Sequence, residues 1–278
     1  MSEDRAVVVV GLQATGLVVA SCLAGPLRPV VAVEWDPSRR AALRQGRLPF
    51  FEPGLEPLFR EALGCGWLQV ADDAPTTEPA LFCVACDLQA PPLSALLARA
   101  RAGSVLVLQS PGPPGTAESL RGRIRNLRGA SFPFGVVTNP LLLRRGQAVR
   151  DFLRPRWVLL GGDEPWALEA VTSLYRGRGA LLVRTDHRTA EAAGAVAESL
   201  PAALRSLLET VRTVSESWGA DFEVVRRLVL PALVEASGSR YVHSLLRRPD
   251  RLQEEPLPTA CLGPQVSRPQ AVAGTGLP

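Results

Sequence analysis

The chain contains no lysine: all 31 of its basic residues are arginine. That excludes any chemistry of its own needing a side-chain amine, because a guanidinium stays protonated and forms a planar fork, not a compact titratable group. Aromatic residues are scarce, at 5% of 278 residues, and the arginines are spread along the chain. The formal net charge of +4 therefore comes without a basic stripe of stacking side chains. No nucleic-acid partner is expected. Long apolar runs are missing too. The only N-terminal one, Ala6 to Val10, is too short for a signal segment or a membrane span and reads as a buried strand. A soluble, cytoplasmic protein without membrane association is the expectation.

Cysteine is sparse and odd in number: Cys22, Cys65, Cys83, Cys86 and Cys261. Widely spaced thiols of this kind suit free cysteines better than a disulfide framework. Cys83 and Cys86 form a CxxC inside the apolar run Ala80 to Cys86. Strand alternation points the two thiols to opposite faces, so they read as packing residues and no metal is expected.

What is present is a β/α alternation. Strands are predicted at Val7–Val10, Val30–Glu34, Ala80–Ala85, Ser104–Leu108, Gly135–Thr138, Trp157–Gly161 and Leu181–Val183. Helices are predicted from Gly16 to about Ala24, and at Pro37–Gln45, Leu55–Leu63, Thr116–Leu127 and Pro165–Arg176. This implies an α/β fold, a Rossmann-like doubly wound parallel sheet. From Thr189 to about Trp218 the apolar spacing becomes helical, with Pro201 predicting a kink or break. A second helix follows Asp221, and the Pro/Gly-rich stretch beyond Arg247 reads as a disordered tail. Domain boundaries are expected at 1–184, 185–247 and 248–278.

The first strand runs into Gly11-Leu-Gln-Ala-Thr-Gly16, and the second ends at Glu34 and Asp36. This is the dinucleotide arrangement: loop amides and a helix N-terminus face a pyrophosphate, and an acid bonds the ribose hydroxyls. Glu34 favours NAD over NADP. Gly11 and Gly16 match the outer glycines of GxGxxG, but Gln13 stands at the middle position, where backbone normally approaches the phosphates closely. Retained NAD binding and a merely structural glycine turn both remain open.

Four segments, Gly11–Leu17, Pro49-Phe-Phe-Glu-Pro-Gly-Leu55, Asn139-Pro through Asp151-Phe-Leu-Arg-Pro155, and Thr189-Ala-Glu191 to Gly219-Ala-Asp221, resemble the UDP-glucose/GDP-mannose dehydrogenase family. The resemblance implies NAD as cofactor, with Gly11, Gln13, Thr15, Gly16, Glu34 and Ser110 at its site, and a homodimer formed through the helices after Thr189. It also implies two successive oxidations of a sugar-nucleotide alcohol through a cysteine thiohemiacetal and thioester, assisted by polar groups each worth roughly 10²–10⁴ in rate.

Here the chain departs from the pattern. The family glutamate falls on Leu141, the threonine on Pro111, and the lysine and asparagine on Gly194 and Glu198. A further Asn-Glu pair falls on Glu209 and Thr210. Cys261 is the only candidate nucleophile, and no neighbour lowers its pKa. Arg240 matches a sugar-nucleotide-binding arginine and equally suits a solvated helix end. His187 and His243 read as turn and surface residues. No counterpart of the family's C-terminal nucleotide-binding domain is expected before Pro278. The expectation is a catalytically degenerate NAD-binding or scaffold protein, with a sugar nucleotide or a protein as partner. The alternative is an active NAD-dependent oxidoreductase whose site is rebuilt or completed by another chain.

Overall fold

The computed structural model describes residues 5–110, 112–228 and 253–256. Among the described residues nine strands form one sheet in the order β3-β2-β1-β4-β5-β6-β7-β8-β9. They are β1 (Ala6–Val10), β2 (Val30–Val33), β3 (Leu68–Ala71), β4 (Ala80–Val84), β5 (Ser104–Leu108), β6 (Phe134–Thr138), β7 (Trp157–Gly161), β8 (Leu181–Thr185) and β9 (Gln253–Pro256). Strands β1 to β6 pair in parallel, as expected from the β/α alternation. The β6–β7 junction is an antiparallel pair, Thr138 with Gly161, and β9 is antiparallel to β8. The sheet is thus mostly, not wholly, parallel.

Along β1, Val7 and Val9 enter one apolar layer while Val8 and Val10 enter the other. Both faces are covered, which is why the strand reads as a continuous run of valine. Each fully buried valine contributes roughly 1.5–3 kcal/mol. Helix α1 (Ala14–Leu23) is apolar nearly all round and buried from Gly16 to Ser21. Around the sheet lie α2 (Pro37–Arg44), α3 (Leu55–Gly64), α4 (Pro91–Arg99), α5 (Thr116–Arg128), α6 (Ala148–Leu153), α7 (Pro165–Thr172) and the long α8 (His187–Ser217).

Strand β3 and helices α4 and α6 are additions to the elements expected from sequence. Pro201 does not break α8, which is helical through that position. Proline removes one intrahelical donor, and the bonds on either side hold the helix together. Strand β9 falls within the stretch expected to be a disordered tail; the rest of that stretch lies outside the described residues.

Candidate functional site

The order β2-β1-β4 places the topological switch beside β1, where chains leaving β1 and β4 diverge and open a crevice at the carboxyl ends of the strands. The glycine turn sits there. Gly11 has φ +87°, and a Cβ on it would lie 2.4 Å from that of Cys86. At Gly16 an added Cβ would fall 1.8 Å from the Gly11 carbonyl oxygen. Both glycines are therefore required by close approach and, at Gly11, by the left-handed backbone. Gln13 takes an ordinary φ of −77° as the residue before α1. The middle position thus needs no glycine for its backbone. Gln13 is exposed, Thr15 half-buried, and no side chain caps α1.

Glu34 reaches the same place, since Gly11 N–H donates to the Val33 carbonyl at 3.0 Å. The Glu34 carboxylate is buried. It accepts from the Asp36 amide at 3.0 Å and, at a long 3.4 Å, from Arg39. Cys86, between this acid and the turn, has its thiol pushed up to about 11, by burial first and then by Asp87 and Glu34. The parts fit a dinucleotide: an uncapped helix start, two glycines that admit close backbone approach, and an acid with acceptor capacity left over. When bound, NAD supplies a hydride acceptor. Gly11, Thr15 and Gly16 would hold its pyrophosphate, and Glu34 its ribose, with the Gln13 side chain as the one addition at that edge.

The two thiols of the CxxC lie on opposite faces: Cys83 is in one core layer, and Cys86 packs against the other. Burial pushes the Cys22 and Cys83 thiols up to about 12. Neither is a thiolate at neutral pH.

Two carboxylates do structural work that local sequence patterns do not reveal. Glu52 accepts from the Gly146 and Ala148 amides at 2.9 and 2.8 Å, and so caps α6. Glu191, on α8, accepts from Gly115 and Ala117 at 2.6 Å each, and so caps α5. Each satisfies amides that a helix start leaves open. Both acids lie within segments that carry the family resemblance, yet only the fold brings each to its helix.

Glu191 also lines a hole of about 10 Å³ with Ser110, Thr116, Pro140 and Gly194. Gly194 is pressed against Pro140 so closely that a Cβ would sit 2.8 Å from the proline Cβ. Leu141 is half-buried against the apolar core, and Glu198, Glu209 and Thr210 are exposed. The structure thus brings Gly11, Gly16 and Glu34 together and places Ser110 at the separate hole beside α8. Cys261, Arg240, His243 and Pro111 lie outside the described residues. His187 is not a turn residue: it is buried in the first turn of α8, with Nδ1 3.0 Å from the Thr138 hydroxyl. Its pKa is lowered by burial, against the pull of Asp163.

Residues 5–178 match the NAD binding domain of the UDP-glucose/GDP-mannose dehydrogenase family. The chain belongs to that family. Its matched region is the family's NAD-binding domain, so NAD is the cofactor indicated. The chain is similar to UDP-glucose 6-dehydrogenase of Rhizobium meliloti (strain 1021), at 30% identity over 86% of this chain and 58% of that one. It is likewise similar to UDP-glucose 6-dehydrogenase of Pseudomonas aeruginosa, at 32% identity over 79% and 53%. Among solved structures, a UDP-glucose dehydrogenase from Pyrobaculum islandicum superposes with a TM-score of 0.71 at 27% identity, covering 82% of this chain and 57% of that one. GDP-mannose dehydrogenase from Pseudomonas aeruginosa shares the fold, with a TM-score of 0.71 at 22% identity over 80% and 56%. This member of the family spans somewhat more than half the length of the curated relatives it matches. Among the described residues no helix is long and apolar enough to cross a membrane.

Proposed function

We propose that this chain is a NAD-binding member of the family in which the nucleotide-sugar oxidation centre is closed. The observation that carries this reading is the contact of Gly194 with Pro140: a family lysine at this position has no room for its first carbon. The adjoining hole, lined by Ser110, Pro140, Glu191 and Gly194, is about 10 Å³. Leu141 offers no base, and each absent acid–base or oxyanion group costs roughly 10²–10⁴ in rate. Cofactor binding rests on Gly11, Thr15, Gly16 and Glu34, with Gln13 and Ser110 as flanking contacts. Cys261 and Arg240 are proposed to take no part in turnover.

Exposed apolar residues along and just past α8 support a homodimer: Val196, Leu200, Leu207, Val214 and Trp218, the last 81% exposed. They also favour the second reading, in which a partner chain completes an active site. In this reading the NAD-binding unit spans 1–184, the helical dimerisation region 185–247 and a tail 248–278. Free thiols at Cys22 and Cys83 suit a reducing compartment and hence the cytoplasm. The test is calorimetry with NAD beside NADH formation with UDP-glucose and GDP-mannose. Binding without turnover supports the proposal. Turnover abolished by Cys261→Ala contradicts it, and absence of NAD binding removes the cofactor role.

A further inference from the structure

Helix α5 ends beside the start of α7, and the gap between these two helices and β6 holds a cavity of about 90 Å³. Its apolar wall is made by Ile124 and Val136, both buried, and by the half-buried Phe132 and Phe134. The two phenyl rings lie nearly parallel, 6.3 Å apart, and the Arg128 guanidinium covers Phe132 at 4.1 Å. A single water needs roughly 10–15 Å³ of such space, so the cavity takes a solute of several heavy atoms.

Two charged groups at this cavity are left incomplete. Glu164, the residue before α7, has one carboxylate oxygen committed: Oε1 accepts from Arg121 at 2.7 Å. Arg121 gives another terminal nitrogen to Asp163. The second oxygen, Glu164 Oε2, is buried and has no hydrogen-bond partner among the described residues. Shutting an ionised acceptor away from water without a donor is costly, because charged groups carry the largest desolvation penalty. Arg125, one helical turn after Arg121, is the opposite case. It lines the cavity, is exposed, and its guanidinium makes no hydrogen bond or ion pair among the described residues. Arg121 and Arg125 are balanced in charge by Asp163 and Glu164. The cavity therefore lacks a donor at Glu164 and an acceptor at Arg125, yet needs no net charge. A ligand that completes both has a cationic donor and an anionic acceptor within a few atoms of each other, and a small apolar body for the phenyl wall.

We infer that this cavity binds a small α-amino acid as its zwitterion, the ammonium donating to Glu164 Oε2, the carboxylate accepting from Arg125 and the side chain lying against the phenyl wall. Half of such a ligand does not suffice. A simple carboxylate brings an anion up to the buried Glu164, and a simple amine brings a cation up to Arg125. An inorganic anion fails for the first of these reasons. None of the lining residues falls in the four segments that carry the family resemblance, and none belongs to the glycine turn or to the hole at Gly194. The site does not depend on NAD binding.

The test is calorimetry of the full chain with L-alanine, beside propionate, which lacks the ammonium, and ethylamine, which lacks the carboxylate. Alanine is expected to bind at least tenfold more tightly than either, since a bond to a charged group carries about that factor. Arg125→Gln removes no internal bond and is expected to weaken alanine at least tenfold, with thermal unfolding as the check that its fold persists. Arg47→Gln, at an exposed arginine elsewhere, is expected to leave binding unchanged. Glu164→Gln is expected to abolish the preference for alanine over propionate. Failure of the wild type to bind alanine, or equal binding by Arg125→Gln, overturns the inference. Propionate binding the wild type as tightly as alanine overturns it as well, because the cavity would then be a site for simple anions. A preference for alanine that persists in folded Glu164→Gln removes the ammonium contact and overturns it too.

Discussion

Replacing Gly194 with alanine tests whether α8 has sealed the position where the family pattern has lysine. In an open helix, glycine to alanine adds roughly 1 kcal/mol of stability. Gly122 on α5 is such a site, because an added Cβ meets nothing within 4 Å. At Gly194 the same carbon would sit 2.8 Å from the Pro140 Cβ and 3.5 Å from its Cγ. The proline ring cannot swing aside as a flexible side-chain tip would, and overpacking of this kind costs roughly 1–3 kcal/mol. After the helical gain is subtracted, Gly194→Ala is expected to destabilise by up to about 2 kcal/mol, while Gly122→Ala stabilises by about 1 kcal/mol. Urea unfolding of the two variants and the wild type, read as midpoint shifts at constant slope, measures both. Equal stabilisation by the two substitutions would refute the reasoning, because Pro140 would then leave room at Gly194.

Glu34→Ala is expected to weaken NAD binding about tenfold in calorimetry, from loss of a charged acceptor for the ribose; unchanged affinity would remove Glu34 from the site. Glu191→Gln replaces one of two carboxylate acceptors by a donor facing the Ala117 or Gly115 amide, and is expected to cost about 1–3 kcal/mol in denaturant unfolding. His187, lowered by burial from 6.5, stays neutral when folded, so the unfolded chain takes up a proton first as pH falls. The stability this histidine contributes is full above pH 6.5 and is lost below it, by up to about 1.4 kcal/mol per pH unit, until the folded pKa is reached. That part of the pH slope should vanish in His187→Gln. With its thiol pushed up to about 12, Cys83 is about one part in ten thousand thiolate at pH 8, so Cys83→Ser should leave the native thiol titre unchanged while exposed Cys65→Ser lowers it by one.

The first βαβ unit was legible because its signals are local. The valine run of β1, the glycines at positions 11 and 16 and the acid after β2 each follow from neighbours in sequence. Strand β3 is only Leu68–Ala71 and carries too little alternation to stand out. Helix α4 begins with Pro91-Pro92, which reads as a loop until the N-terminal position of the prolines is seen. Contacts between distant residues were hidden for a different reason. The bond from Ala117 to Glu191 spans 74 residues and that from Ala148 to Glu52 spans 96. The closure at Gly194 likewise depends on how α8 meets Pro140, which helical periodicity does not specify. Arg144, Arg150, Arg154 and Arg156 line one cavity, which their spacing in sequence does not announce.

A sealed centre cannot pass hydride from a sugar nucleotide to NAD. NADH absorbance, followed after mixing the full chain with NAD and either UDP-glucose or GDP-mannose, measures this directly. No increase above the enzyme-free rate is predicted for either sugar nucleotide. Sustained NADH formation proportional to the amount of protein would contradict the account.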